Sequence, residues 1–96
     1  MARKYHVGDN VKMQTYFYLN STLTDPSTVT LKTEDPSGNI ATYTYAGGTV
    51  TKNGTGDYYK NVDLDEAGTW KWRWVGTGTV ASADEGELEV LRSEFD

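Results

Sequence analysis

The chain has no cysteine, only two prolines and a single histidine among its 96 residues, and it has no long apolar run. Without cysteine it can form neither a disulfide nor a thiolate metal site, which excludes a disulfide-stabilised secreted miniprotein. No stretch approaches the roughly 20 apolar residues of a membrane-spanning helix, and no apolar segment follows the basic N-terminal residues as in a signal peptide. We therefore expect that the protein does not associate with membranes and that it is made in the cytoplasm.

Basic charge is also scarce, with nine Lys and Arg against 14 Asp and Glu and a formal net charge of −5. Binding to a phosphate backbone requires a basic face, so the sequence predicts no nucleic-acid partner. His6 lies beside the terminus with no cysteine nucleophile to activate, and no acidic run has the spacing of a calcium loop. The sequence therefore predicts no catalytic residue, no metal and no cofactor, and a protein that is not an enzyme.

The residues that are abundant indicate an all-β fold. The chain has ten glycines and seven tyrosines, together with many threonines, which suits short strands joined by tight turns. No segment has helical periodicity. At this length residues 1–96 form one domain, near the lower end of the common size range.

All three tryptophans fall at alternate positions, Trp70, Trp72 and Trp74. Alternate residues of a strand point to the same face, so the three indoles form one ridge. Their apolar area predicts that this ridge fills the space between two stacked sheets. Phe17, from the alternating segment 11–19, and Leu64 are predicted to complete the core.

Turn signals divide the chain into short segments. The Asn53-Gly54 pair predicts a hairpin turn, Gly38 a residue with positive φ, and residues 84–86 a break. In segment 40–45 the alternation leaves open whether the tyrosines or Ile40 and its neighbours face inward. The remaining predicted strands cover residues 28–33, 49–52, 57–64, 79–83 and 87–91.

The run Glu66-Ala67-Gly68-Thr69-Trp70-Lys71-Trp72 resembles the Asp-x-Gly-x-Tyr-x-Cys corner of immunoglobulin domains. Trp70 takes the tyrosine position, from which an indole can donate one hydrogen bond but accept none. Trp72 takes the position of the core cysteine. The resemblance implies an immunoglobulin-like antiparallel β-sandwich of about seven strands with no disulfide.

A wider resemblance covers nearly the whole chain. The chain resembles small immunoglobulin-like structural proteins of tailed bacteriophages, through the motifs Tyr5-His6-Val7-Gly8-Asp9, Asp25-Pro26, Asp35-Pro36-Ser37-Gly38, Gly56-Asp57-Tyr58-Tyr59, Ala67-Gly68-Thr69-Trp70, Arg73-Trp74, Gly76-Thr77-Gly78 and Glu85-Gly86. This resemblance implies a non-enzymatic component of the virion that decorates the capsid exterior by docking on the major capsid protein. The alternative location is the head–tail connector, neck or tail.

Two surfaces are candidates for contact with such a virion protein. Residues 1–6 form a docking arm or a short first strand, with Arg3, Lys4, Tyr5 and His6 as binding residues, and residues 92–96 form a polar tail. The second surface consists of Tyr16 and Tyr18, which face outward. A different class of function is a carbohydrate or cell-surface binding module, in which tyrosines stack on sugar rings; its candidates are Tyr16, Tyr18, Tyr43, Tyr45 and Tyr59.

Overall fold

The computed structural model describes residues 4–92, which contain strands and turns and no helix. Ten strands follow one another along the described chain: β1 (Lys4–His6), β2 (Asn10–Tyr16), β3 (Tyr18–Leu19), β4 (Thr22–Leu23), β5 (Thr28–Glu34), β6 (Ile40–Thr44), β7 (Thr51–Gly54), β8 (Asp57–Asp63), β9 (Gly68–Thr77) and β10 (Ser82–Leu91). The predicted all-β class is confirmed.

The strands form two main sheets, one with the order β1-β10-β9-β5-β6 and one with the order β2-β8-β7. Neighbouring strands are antiparallel except for β1, which lies parallel to β10. This division of strands is the immunoglobulin-like arrangement, and it contains no disulfide. The strand number is higher than the predicted seven because short strands form at the N-terminus and in a hairpin, β3–β4, outside both sheets.

The core lies between the two sheets and contains tryptophan side chains as well as aliphatic ones. Trp70 and Trp74 are buried, with exposed fractions of 5% and 1%, and Phe17 and Leu64 are also buried. Trp72 is half-buried and packs against the edge of the core. The indole nitrogen of Trp70 donates a 2.9 Å hydrogen bond to the carbonyl of Glu66. This bond reaches back four residues, as the tyrosine of an immunoglobulin corner does.

Gly86 provides the space that the ring of Trp72 occupies. It is paired directly with Trp72 across β9 and β10, and a methyl group on Gly86 would lie 2.6 Å from the indole carbon Cζ2. The missing side chain therefore makes room for the indole ring. The predicted break at residues 84–86 is wrong, because the glycine accommodates a cross-strand neighbour and β10 continues through it.

The alternation of segment 11–19 predicted one continuous strand, but the segment does not form one. Met13, Thr15 and Phe17 are buried as expected, but β2 ends at Tyr16 and the chain then leaves the sheet, so that Leu19 is exposed. The predicted loop that follows contains β4, which pairs with β3.

The turn between β7 and β8 is also displaced from the predicted position. Gly54 belongs to β7 and pairs with Asp57, so the turn residues are Thr55 and Gly56 instead of Asn53 and Gly54. A register shift between Lys52 and Gly54 adds the residue that moves the turn along.

At the N-terminal end, Lys4–His6 pair with residues 89–91 of β10, and Tyr5 packs against the core. Of the two interpretations of this segment, arm or first strand, the structure shows the strand for residues 4–6. Arg3 and most of the proposed polar tail, residues 93–96, lie outside the described residues.

Unequal burial of the tryptophans predicts unequal costs of truncation. Trp74→Ala is expected to lower the free energy of unfolding by about 3–5 kcal/mol, because it removes a fully buried aromatic ring. Trp72→Ala is expected to cost less, since part of its ring already contacts solvent. Urea unfolding followed by far-UV circular dichroism measures both, and equal losses would contradict this difference.

Candidate docking surface

Four large apolar side chains are exposed around the end of β2 and the β3–β4 hairpin. We call this set the docking patch: Tyr16, Tyr18, Leu19 and Leu23, with exposed fractions of 51%, 56%, 44% and 39%. Scattered apolar residues are normal on a protein surface, whereas a group from one short segment is a candidate for a contact site. The patch is therefore the strongest candidate for partner binding.

The hairpin owes its shape to a turn in which both central residues have positive φ. Asn20 has a φ of 52° and Ser21 a φ of 66°. This is the backbone of a type I′ turn, whose twist matches that of the two strands it joins. The turn sets Tyr18 opposite Leu23 and Leu19 opposite Thr22, which places apolar side chains on both faces of the hairpin.

Phe17 fixes the base of the hairpin to the body of the protein. Its side chain is buried, its N–H donates to the carbonyl of Gly56 at 2.8 Å, and its carbonyl accepts from the N–H of Thr24 at 3.0 Å. Its ring meets that of Tyr58 edge-on, with centroids 5.8 Å apart. The hairpin thus begins and ends on one buried residue.

Asp25, two residues beyond the hairpin, gathers hydrogen bonds from three sources. Its carboxylate accepts from the ammonium of Lys52 at 2.7 Å, from the N–H of Gly56 at 2.8 Å and from the hydroxyl of Tyr58 at 3.1 Å. These donors belong to β7, to the turn and to β8. The carboxylate therefore ties the segment that follows the hairpin to the second sheet.

The titration of this cluster follows from its contacts. The hydrogen bond from Lys52, supported by the N–H of Gly56, holds the pKa of Asp25 below its ordinary value. Burial raises the pKa of Tyr58 to about 12, and its hydrogen bond to the Asp25 carboxylate acts in the same direction. The aspartate is therefore charged and the phenol neutral around neutral pH.

The five tyrosines proposed to stack on sugars are not equivalent. The ammonium of Lys60 lies 5.0 Å from the ring centroid of Tyr43, and that of Lys12 lies 4.5 Å from the ring centroid of Tyr59. Tyr45 meets the ring of buried Tyr58 edge-on, at 5.4 Å. Tyr16 and Tyr18 are the tyrosines that retain more than half of their exposure.

Of the residues predicted to bind a partner, Tyr16 and Tyr18 lie in the docking patch, whereas Tyr5 and His6 lie in β1. Sequence reasoning missed Leu19 and Leu23. Asn20 is a residue that two-residue hairpin turns favour, but the pair Asn20-Ser21 lacks the glycine of the usual hairpin signals, so the sequence provides little indication of this turn.

Residues 4–92 also lack two other kinds of feature. No helix in that range is long and apolar enough to cross a bilayer. The same residues contain no group of three or more histidine, aspartate or glutamate side chains arranged to hold a metal ion.

Comparison with known proteins finds no matching protein-family model, no matching curated protein and no matching solved structure.

The lowered pKa of Asp25 gives a prediction for acid stability. Because the folded-state pKa lies below the ordinary value of 3.8, the unfolded chain binds the proton more readily, and the stabilisation is lost as the pH falls below that value. Asp25→Asn should lose less stability over the same range. Urea midpoints of both proteins, measured between about pH 5 and about pH 2, test this. Other carboxylates titrate in both proteins, so parallel profiles would contradict the role of Asp25.

Proposed function

We propose that the protein is a non-enzymatic structural component of a bacteriophage particle that docks on the capsid exterior through the docking patch. The observation that carries the docking is the exposure of Tyr16, Tyr18, Leu19 and Leu23 on a hairpin fixed by Phe17 and Asp25. The sequence resemblance to small immunoglobulin-like phage proteins supports the choice of particle. The major capsid protein is the proposed partner, with the connector, neck or tail as the alternative location.

The form of the patch suits docking. Tyrosine provides a large contact area with little conformational freedom to lose, and a hairpin fixed at its base needs little reordering on binding. Four side chains form a small interface. On a particle with many equivalent positions, however, a modest interface at each position suffices for stable coverage of the surface.

The second candidate, a carbohydrate-binding module, finds less support in the tyrosines. Stacking on a sugar ring needs an open aromatic face, and lysine ammonium groups lie over Tyr43 and Tyr59. Tyr16 and Tyr18 are more than half exposed, so glycan binding at this same patch is the form of this alternative that an experiment must separate.

The test is binding of the purified protein to particles of the encoding phage that lack it. Tyr18→Ser combined with Leu23→Ser is expected to lower the apparent affinity about tenfold or more, because residues at the centre of an interface dominate its energy. The matched control is Tyr18→Phe combined with Leu23→Met, which keeps the apolar area and should bind nearly as the wild type.

Two results would contradict the proposal. One is unchanged particle binding by the serine variant, provided that its urea unfolding shows an intact fold. The other is absence of the protein from purified virions by mass spectrometry. Retention of the protein on glycan-coated beads, lost in the serine variant, would favour the carbohydrate-binding module instead.

A further inference from the structure

One side of the sandwich is open between two unpaired strand edges. β6 is the last strand of its sheet, and β7 pairs only with residues 57–59 of β8, which leaves residues 60–63 without a neighbour on that side. Between these edges lies a cavity of about 350 Å³. We call this cavity and its two edges the side groove. The side groove lies near the end of β8 that is farther from Gly56, the residue that contacts the base of the hairpin.

The pairing register shows which backbone groups of β6 face outward. Tyr45 donates its N–H to Val29, so the odd-numbered residues of this segment point toward β5 and the even-numbered ones point away. At Thr44 the outward N–H and carbonyl already bond to Thr49. The remaining outward N–H and carbonyl groups belong to Ile40 and Thr42. No described strand pairs with β6 on this outward side. β6 thus has hydrogen-bonding positions for an added strand.

Charge distinguishes β6 from the other edge strands of the two main sheets. β1, β2 and β7 each contain a lysine, whereas β6 reads Ile-Ala-Thr-Tyr-Thr and has no charged residue. Proteins commonly place lysine on sheet edges to prevent pairing with another chain. The sequence of β6 also has high β-propensity, and the side chain of Ile40 is 65% exposed. β6 therefore lacks the usual protection against strand addition.

The groove beneath this edge is acidic. Asp35, Asp63 and Asp65 line it together with Lys60, a net charge of −2, and Tyr43 and Trp70 also contribute to its wall. Asp35 accepts hydrogen bonds from Asn39, and Asp63 accepts one from Asn10. Lys60 donates a hydrogen bond to the carbonyl of Asn61. An entering chain that lies beside β6 would point alternate side chains toward β8, where the exposed residues Asp63 and Asp65 lie at the rim of the groove.

We propose that the side groove binds an extended, basic segment of a partner protein, which adds as a strand to β6 and places arginine or lysine side chains beside Asp63 and Asp65. The observations that carry this are the unprotected edge, the open cavity and the charge of its lining. The mode is strand addition, in which the main chain supplies affinity and alternate side chains supply specificity. This surface is independent of the docking patch, so either can fail alone.

The probe is a fluorescein-labelled peptide of about nine residues that alternates arginine with threonine and valine, matched to the length of a strand. Fluorescence anisotropy measures its binding. An otherwise equal peptide with glutamate for arginine, and one with proline at every third position, should not bind, because the first has the wrong charge and the second cannot pair as a strand. Binding of the basic peptide should weaken as salt is added.

Asp63→Asn combined with Asp65→Asn should weaken peptide binding about tenfold or more. The matched control, Asp84→Asn combined with Glu87→Gln, removes the same charge from exposed positions of β10 and should bind as the wild type. Thr42→Pro removes an outward N–H without breaking a bond to β5, and it should also abolish binding. Urea unfolding verifies that each variant folds, and the asparagine pair keeps the test valid if the proline variant does not.

Three outcomes would overturn the proposal. The first is that the wild type does not bind the basic peptide. The second is that the aspartate pair and its control weaken peptide binding equally. The third is that the wild type does not bind the peptide but dimerises with increasing concentration, and that Thr42→Pro abolishes this dimerisation. The last would assign the edge to a second copy of the chain. The serine variant of the docking patch should bind the peptide normally, so that failure of this proposal is distinguishable from failure of the proposed function.

Discussion

The carboxylate of Asp25 connects the segment that follows the β3–β4 hairpin to β7, β8 and the turn between them. It receives donors from Lys52, Gly56 and Tyr58, which lie in β7, in a turn and in the core. Gly56 in turn accepts the N–H of Phe17, the residue from which the hairpin departs. The exposed apolar side chains of the hairpin can therefore keep a fixed position relative to the sandwich. Without such bonds, a two-strand hairpin is only marginally stable in water.

The fold could be predicted because its main signals are local in sequence. Alternate tryptophans indicate one face of a strand in any surroundings, and the corner pattern at Glu66 to Trp70 depends on residues a few positions apart. The inward positions of Val29, Leu31, Tyr58 and Val62 likewise followed from period-two alternation.

The errors arose where a distant residue decides the local structure. Gly86 reads as a break in sequence, yet in the sheet it lies beside Trp72, and a side chain at this position would collide with the ring. The alternation of segment 11–19 likewise continues past Phe17, but that residue bonds to Gly56 and the chain turns out of the sheet. Exposure of Leu19 and Leu23 follows from this departure, so half of the docking patch was not evident from sequence.

The side groove originates in how strands are divided between the sheets. β1 joins β10 instead of β2, and β7 is too short to cover β8, so the smaller sheet cannot protect the sides of the sandwich. Lysines compensate at β2 and β7, because Lys12 and Lys52 lie on those strands, but β6 has none. An edge without charge, placed over an acidic groove, favours strand addition only for a partner of the opposite sign. A groove that binds a basic segment, as proposed, would disfavour β6 of a second copy, since pairing of two copies would bring like charges closer together.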